Sequence, residues 1–357
     1  MPKSQTAPAP PVSPETLTAL LAAVSEYYAL APWEFAADSD PVGLIDPVTG
    51  EIRIGHVLGN ADEVYAAVFY RRGGVSWILG MLSDNPNPED INTIEGMDCL
   101  KVEFVAKREL AKEDLAKLKT AGFKPAGKGL VWPLFASSEP GWLPWHINQA
   151  EAEQLLADLP RLTAFCRLFE QHLDLFDHRA ATEIPFLPAN LPDRPLTLKD
   201  LDWRPLLPPP VPDLEPFKAS PAQLAELRSL KRMPDLACEF DCTLLPGGTF
   251  LENGRLCFGR FGLLVEKKRG LVIGMEMTSG ALSPSEAAGQ TLVKSLLMAK
   301  ARPSKIFIGG SRLLPALQPL CDTLEIELWP VSSLPLLDEA LDSLSMQMMM
   351  GPPPGFR

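Results

Sequence analysis

Proline decides how this chain can be divided. Its 37 prolines crowd into residues 183–217, where IPFLPANLPDRP and WRPLLPPPVPDLEPF stand close together. Proline locks φ and carries no N–H, so such a stretch can neither run through a helix nor fill the middle of a sheet. It is extended and semi-rigid. Two modules are therefore expected, at 14–182 and 218–345, joined by a strap at 183–217, with short disordered tails at 1–13 and 346–357. A length of 357 residues suits two domains, each large enough for its own core. Phe186, Leu187, Trp203, Leu206 and Leu207 make the strap too apolar for a free linker, so it is expected to lie along one module.

In the first module, Ser13-Pro14 starts a helix with Leu17, Leu20, Leu21, Val24, Tyr27 and Tyr28 at helical spacing. Val42–Ile45, Ile52–Leu58, Val64–Tyr70 and Leu100–Val105 read as strands, with Asp46-Pro47-Val48-Thr49-Gly50 as a tight turn. Gly73–Leu82 and Glu109–Ala121 read as helices. Asn148 and Glu151 form a capping-box-like start to a long helix running from Gln149 to about Leu175. The pattern predicts an α+β module, an antiparallel sheet with helices packed on one face.

The second module is more legible. Leu236–Leu245 alternates apolar and polar residues at period two, with Leu236, Cys238, Phe240, Cys242 and Leu244 on one face. Pro246-Gly247-Gly248 ends it. Strands follow at about Leu256–Val265 and Leu271–Met277. Ser283-Pro284-Ser285-Glu286 opens a helix that Arg302-Pro303 stops. Then come a strand at Lys305–Ile308, a helix carrying Leu313, Leu314, Leu317, Leu320 and Cys321, a strand at Leu324–Trp329 and a helix at Leu336–Leu344. The order is βββαβαβα.

Over Leu236–Leu344 that order resembles the ribonuclease-H-like fold of integrase cores and many nucleases. The resemblance implies an α/β module with a metal-binding Asp on its first strand, which is Asp241 here. It implies a second acid just past the fourth strand, where this sequence has Gly309 and Gly310. It implies a third on the last helix, where Asp338, Glu339 and Asp342 stand, with Glu286 near the site from the middle helix. Two-metal chemistry needs several carboxylates converging on the cations. Glycine at the second position removes a shared ligand, so the site reads as degenerate. Most of residues 15–345 also resembles a two-module bacterial family of domains of unknown function. That likeness lies in Asp46-Pro47-x-Thr49-Gly50, in Trp132-Pro133-Leu134-Phe135 followed by Pro144-Trp145, and in Glu239-x-Asp241-x-x-x-Leu245-Pro246.

Charge narrows the function. The formal net charge is −12, and acids outnumber bases 25 to 14 over residues 14–180 and 13 to 10 over residues 235–345. No segment is basic, so the electrostatic footprint of a nucleic-acid binder is missing. The 6 cysteines form no CxxC. Cys238 and Cys242, four apart on one strand, stand ~13 Å from each other, too far to share a disulfide or a metal. His56, His146, His172 and His178 are not spaced as a metal cluster. No metal or cofactor is expected. Trp132, Trp142, Trp145 and His146 fall in one short stretch and are candidates for a recognition surface, against a plainer role in core and loop packing.

The N-terminus has no apolar signal region, and no apolar run is long enough to span a bilayer, so a cytoplasmic protein is expected. The leading functional expectation is non-catalytic binding or scaffolding, with protein as the partner. The alternative is a metal-dependent nuclease or phosphodiesterase using Asp241 with Glu286 and Glu339 or Asp342.

Overall fold

The computed structural model describes residues 10–61, 64–81, 96–125, 131–177, 179–180, 183–205 and 214–350. Residues 1–9 of the expected tail 1–13, Leu82 of the expected helix Gly73–Leu82, His178, Leu206 and Leu207 of the strap, and residues 351–357 of the expected tail 346–357 lie outside the described residues. The chain falls into two compact units. One is Met1–Pro140 with Pro144–Pro210; the other is Gly141–Leu143 with Val211–Arg357.

The first unit is built on a seven-stranded sheet in the order β5-β4-β3-β2-β1-β6-β7. Its strands are β1 (Val42–Ile45), β2 (Ile52–Leu58), β3 (Ala66–Arg71), β4 (Cys99–Ala106), β5 (Val131–Ser138), β6 (Glu183–Phe186) and β7 (Asp202–Pro205). The β1–β2 turn is closed by the Asp46 carboxylate, whose Oδ1 accepts the N–H groups of Val48 (2.9 Å) and Thr49 (2.8 Å). Gly50 takes φ 72° there, a left-handed conformation that glycine adopts without a Cβ clash.

Helices α1 (Pro14–Leu30) and α4 (Gln149–Phe169) cover one face. Leu20, Val24 and Tyr27 of α1 and Leu155, Leu159 and Leu162 of α4 share a core with Phe69, Leu100 and Val102 of the sheet. Helix α2 (Gly73–Met81) packs Val75 and Ile78 against Ile54, Val68 and Tyr70 on the opposite face. Helix α3 (Lys112–Thr120) completes the unit.

Four expectations change here. The sheet is mixed, because β6 pairs parallel to β1. Helices lie on both of its faces. The strap supplies β6 and β7 at its edge. Pro205 fits because β7 is the edge strand, and Pro185 because β6 meets β1 in register only at Phe186, so missing N–H groups leave little of the ladder unmade. Gly43 admits the Phe186 ring: a Cβ there would stand 2.3 Å from it. Helix α4 passes through Pro160 and ends at Phe169 rather than near Leu175.

The second unit holds a five-stranded sheet in the order β10-β9-β8-β11-β12. Its strands are β8 (Lys231–Glu252), β9 (Arg255–Glu266), β10 (Leu271–Ser279), β11 (Ala301–Gly309) and β12 (Glu327–Val331). β8, β9 and β10 form an antiparallel meander; β11 pairs parallel to both β8 and β12. Its helices are α5 (Pro221–Ser229), α6 (Pro284–Ala299), α7 (Leu314–Thr323) and α8 (Pro335–Met350).

β8 does not stop at Pro246-Gly247-Gly248. A register shift between Leu245 and Thr249 absorbs those residues, and the strand continues. β8 meets β11 up to Phe240 and β9 from Cys238 onward. β11 begins at Ala301, so Pro303 lies inside a strand where a helix stop was expected; the register shifts between Pro303 and Lys305. The helix α5 and the extension of α8 through Met350, across part of the expected tail, were not anticipated.

Candidate functional site

The alternation of β8 sorts its side chains. Cys238, Phe240 and Cys242 point into the core made by α6 and α7, where burial pushes both thiols up to about 12. Glu239, Asp241 and Thr243 take the other face. Helix α8 starts on that face, since a Cβ at Gly309 would meet Leu334 at 3.5 Å and the Asp241 carboxylate at 3.6 Å.

Asp241 is half-buried, with 21% of its side chain exposed. Its Oδ1 accepts the backbone N–H of Cys242 at 2.7 Å and lies 3.3 Å from Arg312 Nη2. The same guanidinium nitrogen donates to the Cys242 carbonyl at 3.0 Å. Arg312 stands in the turn between β11 and α7. Gly310 in that turn takes φ 60°, and its N–H donates to the Val331 carbonyl at 2.8 Å. An arginine on a carboxylate is a charge-assisted contact.

Glu239, one step along the same face, is fully buried. Its Oε2 accepts the N–H groups of Leu336 (3.0 Å) and Leu337 (3.1 Å), and Lys267 Nζ stands 3.5 Å from its Oε1. A carboxylate at a helix N-terminus meets unsatisfied N–H groups and the positive end of the dipole. Glu239 therefore anchors α8 to the central strand. Period two already placed Glu239 beside Asp241; no local motif marks it as a cap, because the helix it serves lies far along the chain.

The four acids of the alternative reading are not brought together. Glu286 belongs to α6, on the side of Cys238 and Cys242, and its carboxylate accepts from Gln290 Nε2 at 2.9 Å. Glu339 and Asp342 are exposed on α8. Asp338 has its carboxyl pushed up by desolvation first, then by Glu239 and Asp342. Among the described residues, no three His, Cys, Asp or Glu side chains gather as metal ligands.

The aromatic stretch also disperses. Trp132 is buried on β5, its ring 5.6 Å from Phe123. Trp142 belongs to the second unit, where it bridges to Cys257 under the Arg255 guanidinium, 4.8 Å away. Trp145 is 41% exposed and stacks edge-on against His146 at 5.2 Å. His146 Nδ1 stands 3.4 Å from Asp114 Oδ1. The three indoles serve three different surroundings.

Among the described residues, no helix is long and apolar enough to cross a membrane. No curated protein and no solved structure matches the chain. Two family models do. Residues 18–185 match the family described as Domain of unknown function (DUF7309), and residues 223–345 match the one described as Domain of unknown function (DUF6930).

Proposed function

We propose that the second unit is a degenerate ribonuclease-H-like module and that the protein acts by binding another protein rather than by catalysis. The observation that carries this is the Arg312–Asp241 contact at the end of β11, with glycine at 309 and 310. A fixed guanidinium stands where the resemblance would have a cation shared by two acids. The sheet order β10-β9-β8-β11-β12, with β8 and β11 parallel, supports the fold side of the reading. Dispersal of Asp241, Glu286, Glu339 and Asp342 weighs against two-metal chemistry, which needs them convergent. The acidic balance of the chain disfavours nucleic acid and favours protein. Six free, buried cysteines suit a reducing compartment such as the cytoplasm.

The test is a thermal melt with and without Mn²⁺ or Mg²⁺, beside a phosphodiester cleavage assay. The expected result is an unchanged melting temperature and no cleavage. A metal-dependent rise that Asp241→Asn abolishes, or metal-dependent cleavage lost in the same variant, overturns the reading in favour of a nuclease.

A further inference from the structure

The geometry points to a docking groove for an extended basic peptide segment along the free edge of β12. This rests on the protein-binding reading above and names where and by what chemistry a partner is held. Among the described residues β12 is the last strand of its sheet, and a groove of about 510 Å³ runs between it and α7. Asp322 of α7, Glu325 of the connecting turn, and Glu327, Leu328 and Trp329 of β12 line it.

Two independent features select the occupant. The first is the backbone. Gly310 N–H donates to the Val331 carbonyl, and Gly309 is the register partner of Val331. Val331 therefore turns its peptide groups toward β11. In a strand the neighbours alternate, so Leu328 and Pro330 turn theirs to the open edge. Pro330 has no N–H, and the Ile326 N–H already donates to the Cys321 carbonyl at 2.9 Å. The edge thus offers the carbonyls of Leu328 and Pro330 but only the Leu328 N–H as donor. It favours a ligand rich in donors.

The second feature is charge. Asp322, Glu325 and Glu327 are all exposed, and among the described residues no Lys or Arg lines the groove, although Arg232 reaches the Glu325 carbonyl at its rim, at 3.4 Å. Glu327 is partly answered from the other side, by Lys305 at 3.3 Å and by the Trp329 indole N–H at 3.1 Å. These contacts hold its carboxyl below the usual range, the indole first, so it stays ionised. Asp322 accepts from Gln318 of its own helix. Trp329 is 49% exposed, but Lys305 Nζ already stands 5.3 Å from its ring centroid, so the acids alone select the charge of the occupant. A strand laid on the edge would pair briefly at Leu328 and place basic side chains over the acids. This is strand addition with side-chain pockets for specificity, kept short by proline.

The experiment uses the full chain and a labelled extended peptide alternating Arg or Lys with Val, beside an acidic twin of equal length, read by fluorescence anisotropy. The expected result is saturable binding of the basic peptide only, weakened about tenfold or more by joint Asp322→Lys and Glu325→Lys, and unchanged by Lys294→Glu on α6. Amide exchange should slow at Leu328 on binding. Equal binding of both peptides, retention of affinity in the double variant, or no binding up to about 1 mM overturns the groove. Such failure leaves the protein-binding reading standing, since that reading falls only to metal-dependent shifts or cleavage.

Discussion

Arg53 and Asp158 grip each other through two hydrogen bonds, Nε to Oδ2 at 2.6 Å and Nη2 to Oδ1 at 2.9 Å, with neither side chain open to water. The pair joins β2 to α4. Arg53 Nη1 also reaches Asp46 at 2.9 Å, and Arg161 donates to the carbonyls of Ile45 (3.0 Å) and Pro188 (2.9 Å). One buried cluster thus ties the β1–β2 turn, the long helix and the strap. Removing one partner strands a charge in the interior, at a cost of about 3–5 kcal/mol. Asp158→Ala should lower the urea midpoint accordingly. The double variant Arg53→Met with Asp158→Leu should lose less than Asp158→Ala, a result that an additive response would contradict.

His56 predicts a pH dependence. It is buried, with Nε2 2.5 Å from the Asp38 carbonyl and Nδ1 without a hydrogen-bond partner among the described residues. Desolvation pushes its pKa down, outweighing the Asp38 carbonyl. The folded state holds the ring neutral while the unfolded chain protonates near 6.5. Below that pH the unfolded state binds more protons, so stability falls as pH drops. Unfolding midpoints from pH 7.5 to 5.5 should decline, and His56→Gln should flatten that part of the curve. A wild-type profile level over this interval would refute the assignment.

Asp241→Ala should cost only about 1 kcal/mol, because the carboxylate is part-exposed and Arg312 keeps its bond to the Cys242 carbonyl. Arg312→Ala should cost a similar amount. Chemical denaturation resolves both. A loss above about 3 kcal/mol for Asp241 would mean a buried network larger than the one described.

The strap's end belongs to the second unit. Phe217 N–H donates to the Ala316 carbonyl at 2.9 Å, and its ring lies over Gly289 of α6, where a Cβ would come within 2.0 Å. A fragment beginning at residue 211 should therefore melt cooperatively and above one beginning at 218. Gly289→Ala in the longer fragment should remove much of that difference. Equal melting temperatures would show that Phe217 contributes nothing.

Periodicity made the second unit legible. Alternation from Leu236 to Leu245 set the faces of β8, and the caps Ser283-Pro284 and Asn148–Glu151 set helix starts, because those signals are local. Proline misled where its cost depends on place. Pro205 sits in the edge strand, Pro185 next to the one residue by which β6 meets β1, and Pro303 beside a register shift, positions that only the assembled sheets define. The turn that holds Arg312 could be named as a neighbour of Asp241, with Thr243 as another candidate, because the ribonuclease-H-like resemblance pairs the first and fourth strands in parallel. The Glu239 cap and the Trp132, Trp142 and Trp145 surroundings could not, since they depend on contacts between residues far apart in sequence.

β8 meets β11 only as far as Phe240 and β9 only from Cys238. The antiparallel meander and the parallel pair are therefore two leaves bound along a spine of three residues. Cys238, Glu239 and Phe240 are the residues of β8 that belong to both leaves. Glu239 also holds the first amides of α8, so the seam that joins the leaves is also the seat of that helix.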